Sequence, residues 1–477
     1  MRAWLLAVAV SLVSIAPALA ADPLRQGAEA VRDRALADTT AYDYVASLTT
    51  EVGERLAGTE AAARARDWGV AKLKSLGFSD VHVEPFTITA WVRGPEKAEV
   101  TAPYPQSLSI IGLGGSVPTP PGGVEAEVVV FATYADLLAA PLGSLTGKIA
   151  VVTQPMPRAQ DGAGYGALNP NRRAGPSEAA RRGAIAYLVR SLATGESRAP
   201  HTGALNYKPD VPQIPAAALS VVDAELLDRM AALGKPIRIR LSLESHTVPN
   251  APAWSVVGEI PGTEHPDQLV VVGGHLDSWD PGQGAIDDGA GMAIAVAAAH
   301  LAGAHPPKRT LRVMLFGAEE MDFTRFAVFA AHQAEIPRTV LMGEADIGAD
   351  RAWSVALPAG SLTHPAMQAY AAAVAPIGVI MSPEPARGGG DDIVNMVQSG
   401  VPVVAVRQDA SRYFDWHHSS EDTLDKIDKA QFSQAVATWA TLLYVVANSD
   451  IDFRSLAPVP PTAPAPPPPA PPPPTPR

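Results

Sequence analysis

Residues 269–291, LVVVGGHLDSWDPGQGAIDDGAG, constrain the fold more than any other stretch, because an apolar run there ends abruptly in His275, Asp277, Asp287 and Asp288. The run reads as a strand buried on both faces, of the kind found in parallel sheets. An Ala-rich helical segment follows over 291–301. A second apolar run, 310–316, then ends in Gly317-Ala318-Glu319-Glu320. This is a β-α-β unit with its carboxylates and histidine gathered at the carboxyl ends of neighbouring strands, the edge where open α/β sheets hold their ligands.

The same alternation continues through the second half. Strand-like runs at 269, 310, 339 and 401 alternate with helical ones, predicting an α/β fold with a mostly parallel sheet sandwiched by helices. Upstream, 22–48 reads as helical and 52–59 as a turn-rich link. A helix over 60–76 is closed by Gly77. Residues 81–92 alternate as an antiparallel strand does, until Gly94 and Pro95 break them. Between 116 and 246 the texture is short β-rich runs around a helix at 177–182 and a strand at 184–189, among many Gly and Pro, which reads as an inserted β-rich module bounded by the Pro-rich stretches at 118–122 and 248–252. Its Gly162, Gly164 and Gly166 read as a flexible loop, since no P-loop lysine follows. The expected division is therefore 1–20, 21–115 as the first part of the main domain, 116–246 as the insertion, 247–456 as the catalytic part and 457–477 as a tail.

Residues 1–20 have the layout of a cleavable secretory signal, with one arginine, an apolar run and Ala18-Leu19-Ala20 before the expected cut. The apolar run is short for a membrane span, and no later stretch is expected to cross a bilayer. With no cysteine in 477 residues, stability in an oxidising compartment has to come from the core. A net charge of −12 without a Lys/Arg cluster argues against nucleic acid and anionic membranes as partners. The final 21 residues hold 13 prolines and read as a spacer or disordered tail. The reading is a secreted or periplasmic protein, free of the membrane once the signal is cut.

Two metal ions held close together need one bridging carboxylate and a few terminal ligands on each side. His275, Asp287, Glu320, Asp346 and His418 each stand at or just past the carboxyl end of a strand, and spacing alone allows His417 in place of His418. Three carboxylates and one bridging hydroxide balance two divalent cations, whereas burying those carboxylates without cations is severely unfavourable. Asp277, two residues from His275 in extended backbone, can accept the histidine's other ring N–H and strengthen the ligand. Glu319 cannot easily face the metal that Glu320 faces, which makes it the natural general base. His300 and His332 read as surface or hydrogen-bonded residues, Asp391-Asp392 as a solvated turn.

The strings Gly274-His275-Leu276-Asp277-Ser278-Trp279, Ile286-Asp287-Asp288-Gly289-Ala290-Gly291, Ala318-Glu319-Glu320, Glu344-Ala345-Asp346 and His418-Ser419-Ser420-Glu421-Asp422-Thr423 resemble the motifs of the co-catalytic zinc aminopeptidases. The resemblance takes in residues 53–58, and the module's Gly147-Lys148-Ile149, Arg190-Ser191, Pro200-His201-Thr202-Gly203 and Ile214-Pro215 are similar to a protease-associated domain. It implies that Asp287 bridges two zinc ions, that His275 and Asp346 complete one site and Glu320 and His418 the other, that Glu319 is the base, and that a cis peptide joins Asp287 to Asp288. His418 is chosen over His417 because it directly precedes the Ser419–Thr423 string. Co2+ or Mn2+ suit the same mixed donors. Two places depart from the family: Met321-Asp322-Phe323-Thr324-Arg325 replaces a glycine-containing turn, and Asp392 is unusual in the Gly388–Asp392 loop.

The implied activity is an exported binuclear exopeptidase acting on small peptides with a free N-terminus, as an aminopeptidase or dipeptidase, with a homodimer expected by resemblance. Rival readings are a carboxypeptidase for acidic C-terminal residues, with Arg387 or Arg407 as its clamp, a one-metal glutaminyl cyclase, and a catalytically silent binding protein.

Overall fold

The computed structural model describes residues 22–456, so the expected signal segment and the Pro-rich tail lie outside the described residues. The main sheet has five strands: β1 (Ser79–Val92), β2 (His246–Ile260), β3 (His265–His275), β4 (Arg309–Phe316) and β5 (Thr339–Glu344), in the order β1-β2-β4-β3-β5. β3 pairs in parallel with β4 and β5, whereas β1–β2 and β2–β4 are antiparallel. The sheet is therefore mixed, and the expectation of a mostly parallel one is corrected. Its parallel half is confined to the strands that helices connect, Ala290–Ala302 between β3 and β4 and Thr324–His332 between β4 and β5.

Both faces of β3 are covered, which is why its sequence is apolar without interruption. Val270 and Val272 pack into a core shared with the helices Ala290–Ala302 and Lys429–Asn448, while Leu269 and Val271 point the other way, towards Val328 and Met396. In Ala290–Ala302 every residue but His300 is buried, and its small side chains let neighbouring helices approach closely. By length and composition 285–302 would pass for a membrane span, against the expectation that no stretch after the leader does, but 94% of it is buried within the protein. It is a core helix.

The strand expected at 401–406 does not join this sheet beyond a single bridge between Met342 and Val403. Pro402 leaves no N–H to continue a ladder. Instead Ala405–Gln408 pairs antiparallel with Ala352–Ala356, in a small sheet completed by Ile380–Met381.

A second sheet of eight strands spans 96–243, running Gln106–Leu108, Glu96–Ala102, Arg238–Leu243, Val124–Phe131, Ile149–Val152, Ala186–Arg190, Ala216–Leu219 and Ile110–Gly112 in spatial order. It encloses two cores of its own. It begins earlier than the 116 expected for the insertion, at the Gly94-Pro95 break. The other expected boundary, 248–252, lies inside β2, where Thr87 faces Pro252 and Ile88 faces Ala251. Proline is tolerated there because β2 meets β4 only from Val256 onward, leaving the earlier edge unpaired. Val92 and His246 are paired, so this unit enters and leaves through adjacent strands.

The glycine run at 162–166 starts a helix, Ala163–Arg181, rather than forming a loop. Gly162 caps it with φ of 71°, and a side chain at Gly164 would meet the Pro157 carbonyl at 2.1 Å. The helix expected at 177–182 is its last part, and Pro170 and Pro176 hid the rest from a propensity reading.

Candidate metal centre

The strand ends deliver their polar groups to one buried cluster. His275 ends β3, and its Nε2 lies 3.1 Å from Asp287 Oδ1 and 3.3 Å from Asp346 Oδ1. His418 Nε2 lies 3.2 Å from Asp287 Oδ2 and 3.0 Å from Glu320 Oε2. Asp287 thus stands between two His–carboxylate pairs, and all five expected donors converge. His417, open on spacing, stacks on the His418 ring at 3.5 Å but comes only within 3.5 Å of Asp287. Three overlapping donor groups, Asp287–His417–His418, His275–Asp287–Glu320 and His275–Asp288–Asp346, each have ligand atoms within 4.8 Å of one another.

The donors suit cations. Asp287 Oδ2 and Glu320 Oε1 are buried without a hydrogen-bond partner, an arrangement that is costly unless something positive meets them. Burial pushes the Glu320 carboxyl well up, with Asp287 adding to it. Burial also acts to raise Asp287, but His417, His275 and His418 outweigh it and hold that carboxyl below its ordinary range. Burial drives the imidazoles of His417, down to about 3, and His418 towards the neutral form that binds metals.

The surrounding loop is held by groups far apart in sequence. The Asp287–Asp288 peptide is cis. Asp288 Oδ2 accepts the His275 N–H at 2.9 Å, and its Oδ1 accepts the Gly291 N–H at 2.9 Å. Gly291 has no room for a side chain, since a Cβ there would lie 1.9 Å from the Ala345 carbonyl. Asp422 accepts the N–H groups of Ile286 at 2.7 Å and Asp287 at 3.2 Å. Burial, with Asp287 adding, pushes its carboxyl up to about 7. Arg55 is fully buried and donates to the carbonyls of Leu276, Gln283 and Gly284.

Asp277 takes a different part from the one expected. His275 Nδ1 hydrogen-bonds the Asp277 backbone carbonyl at 2.9 Å, whereas the carboxylate is 3.7 Å away. The carboxylate instead accepts the Glu319 backbone N–H at 3.0 Å, because the turn after β3 carries it towards the end of β4. Glu319 borders the cavity. Burial pushes its carboxyl well up, opposed by His275 and reinforced by Asp346, Asp392 and Asp391.

The cavity has a volume of about 230 Å3. One wall comes from the main sheet's loops and the other from the helix Ala163–Arg181, through Tyr165, Asn169, Arg172 and Arg173. The eight-stranded unit also reaches the cluster through backbone: the Thr202 carbonyl accepts from His418 Nδ1 at 3.2 Å, and the Thr202 N–H donates to the His418 carbonyl at 2.9 Å. Arg387 and Arg407 do not line this cavity. Arg387 is 79% exposed beside Glu384, and Arg407 borders an adjoining hollow. Trp279 packs under the loop against Trp91 and the His418 ring, rather than walling the cavity.

Arg55, Asp422, the Tyr165–Arg173 wall and Asp391, which lines the cavity where a solvated turn was expected, are site residues that sequence reasoning did not assign. The first two sit inside strings already singled out, 53–58 and 418–423. Nothing local to residues 165–173 marked them.

Residues 255–443 match the model described as Peptidase family M28. The chain is 37% identical to carboxypeptidase Q from Bos taurus over 86% of each chain. A solved peptidase M28 precursor from Shewanella amazonensis is 40% identical, with a TM-score of 0.88, covering 92% of this chain and 99% of its own. A zinc aminopeptidase from Bacillus subtilis, 19% identical with a TM-score of 0.62 over 88% of this chain and 97% of its own, shares the fold. On this sequence identity and coverage, the chain belongs to peptidase family M28.

Proposed function

We propose that this M28 zinc exopeptidase removes the N-terminal residue from small peptides with a free amine, dipeptides foremost, with His275, Asp287, Glu320, Asp346 and His418 holding two zinc ions. One observation carries the reading: His275, Glu320, Asp346 and His418, each following a different strand, converge around Asp287, with Asp287 Oδ2 and Glu320 Oε1 buried and without a hydrogen bond, in a small cavity that Glu319 borders.

When bound, zinc supplies Lewis acidity and lowers the pKa of a coordinated water. The chain's own groups do the rest. Glu319 receives the proton of the attacking water and passes it to the leaving amine, and Asp277 fixes the Glu319 backbone for that transfer. The Asp346 and Asp391 carboxylates on the wall favour a substrate ammonium nearby. A cavity below the roughly 300–1,000 Å3 of drug-sized pockets favours short substrates.

The exposed Arg387 speaks against the acidic-residue carboxypeptidase reading. The complete donor set speaks against a silent binding protein. The leader-like 1–20 supports export, and 96–243 is read as the protease-associated unit.

The test is zinc content together with hydrolysis of a dipeptide panel, repeated on Glu319→Gln. The variant is expected to keep its zinc and lose about 10²–10⁴-fold in kcat. A wild-type protein that stays metal-free and inert after zinc is added back would sink the proposal.

A further inference from the structure

We propose that Arg173 is a positioning residue for the reaction: from the eight-stranded unit it holds Asp322, and through Asp322 the turn that presents Glu319 and Glu320. The inference rests on the exopeptidase reading and adds what keeps the base aligned with the donor cluster.

Three arginines of the unit or its neck reach across to the main half, and each closes a two-pronged fork on one aspartate. Arg93, at the neck, donates to Asp280 from Nε at 2.7 Å and Nη2 at 2.8 Å. Arg158 donates to Asp415 from Nη1 at 3.0 Å and Nη2 at 2.7 Å. Arg173 donates to Asp322 from both terminal nitrogens, Nη2 at 3.0 Å. The polarity is the same in all three, cation on the unit's side and anion on the main half. So is the placement: Asp280 follows Asp277 by three residues, Asp322 follows Glu320 by two, and Asp415 precedes His418 by three. A fork fixes direction as well as distance, so it can orient a loop where a single contact only tethers it. The Arg173 and Asp322 side chains are 28% and 17% exposed, which shields this pair from water and salt better than a surface pair.

The backbone singles out the Asp322 fork. Asp322 has φ of 63°, a left-handed conformation that glycine takes freely and other residues take at a cost. The chain keeps an aspartate there, and its carboxylate is the group that Arg173 holds. The Asp322 N–H donates to the Glu319 carbonyl at 2.7 Å and the Phe323 N–H to the Ala318 carbonyl at 3.1 Å, so 318–323 is one tight turn that includes Glu319 and Glu320. On its other side the Glu319 N–H donates to Asp277 Oδ1 at 3.0 Å. The turn is thus gripped from β3 and from the unit. Arg325, a second cation near Asp322, lies 3.6 Å away on the same half and cannot tie the halves together. A shift of about 1 Å in this turn would carry Glu319 off the reacting atoms, a misplacement that costs on the order of 100-fold in rate.

The experiment measures kcat and KM for alanyl-alanine on zinc-loaded wild type, Arg173→Met, Asp322→Asn and the double variant, with Lys148→Met, whose partner Glu127 lies within the unit, as the control. Arg173→Met and Asp322→Asn are each expected to lose about 10- to 100-fold in kcat, with KM within about threefold and zinc content unchanged. The double variant is expected to fall less than about threefold below the lower single variant, because one fork is lost only once. Arg173→Lys, which keeps the charge and loses the fork, is expected to recover part of kcat. The control is expected to match wild type. Unchanged kcat in Arg173→Met, losses that multiply in the double variant, or a rise in KM at unchanged kcat, which would make Arg173 a substrate contact, overturns the proposal while leaving the exopeptidase reading intact. If Arg173→Met does not fold, Asp322→Gly, which takes the left-handed backbone freely and loses only the carboxylate, carries the comparison: reduced kcat supports the proposal, and wild-type kcat overturns it. Hydrogen exchange across 318–323 reads the turn without turnover: faster exchange in Arg173→Met than in wild type and in the control supports the grip, and equal exchange overturns it. Absence of all hydrolysis by zinc-loaded wild type counts against the exopeptidase reading alone, and the exchange rates then decide for or against the grip.

Discussion

Asp422 is absent from the cavity wall, yet it accepts the successive backbone N–H groups of Ile286 and Asp287 and so decides where the central carboxylate stands. Removing it in Asp422→Ala leaves two buried donors unmet and Asp287 free to shift. Zinc affinity, read by competition with a coloured chelator, is expected to fall about 10- to 100-fold, as when hydrogen-bond partners of metal ligands are lost elsewhere. Undiminished affinity would mean that Asp287 is held by other contacts. The five donors were legible in the sequence because each interrupts or follows an apolar run, where a buried charge needs a reason. Asp422 and Arg55 were not, because their partners lie 136 and more than 200 positions away and only the fold brings them together. Asp277 was legible as a site residue but not in its contact, since a two-residue spacing does not say whether the carbonyl or the carboxylate meets the ring.

Among elements, the edge of the main sheet is tied by charge. His332, at the end of the helix Thr324–His332, hydrogen-bonds Glu335 at 2.9 Å and Glu84 of β1 at 3.0 Å, and Arg312 of β4 pairs with Glu259 and Glu335. Burial alone would lower the His332 pKa, but Glu335 and Glu84 outweigh it and push it up to about 9. Burial would raise Glu335, but His332 and Arg312 bring it down to about 2. The histidine's contribution to stability is therefore full below its unfolded value of 6.5 and lost as pH rises through about 9, and that of Glu335 is full above 4.5 and lost as pH falls through about 2. In urea melts, His332→Gln is expected to trail wild type most between pH 4.5 and 6.5, and the gap to close above about 9. A gap that does not change with pH would remove the histidine's charge from the account. At this scale β3, β4 and their connecting helix were legible from periodicity. The antiparallel partner β2 was not, because Pro249 and Pro252 read as loop, and of the helix Ala163–Arg181 only the end, expected at 177–182, was, because Gly164, Gly166, Pro170, Gly175 and Pro176 interrupt the rest.

Across the whole molecule, zinc is expected to act as a fastener, because the donors follow four different strands and His418 is bridged at its backbone and ring to Thr202 in a loop of the eight-stranded unit. Free zinc at about 1,000 times its Kd stabilises the folded state by about 4 kcal/mol, so chelation should lower Tm, and both halves should melt together in the loaded protein. Two separate transitions, only one of them sensitive to zinc, would show that the halves are not coupled through the cluster. The eight-stranded unit was legible as a change of texture, but the span of its sheet was not, because strands 96–112 precede the composition break and join it only in three dimensions. That unit hangs from a stem in which Val92 lies beside His246, its two ends a strand's width apart. To the rest of the chain it is a closed detour, and yet it furnishes Tyr165, Arg172 and Arg173. On the proposed reading, the groups that carry out hydrolysis therefore lie on one piece of chain and part of the wall around them on another, so that substitutions in the detour can reshape the cavity while the donor set keeps its place.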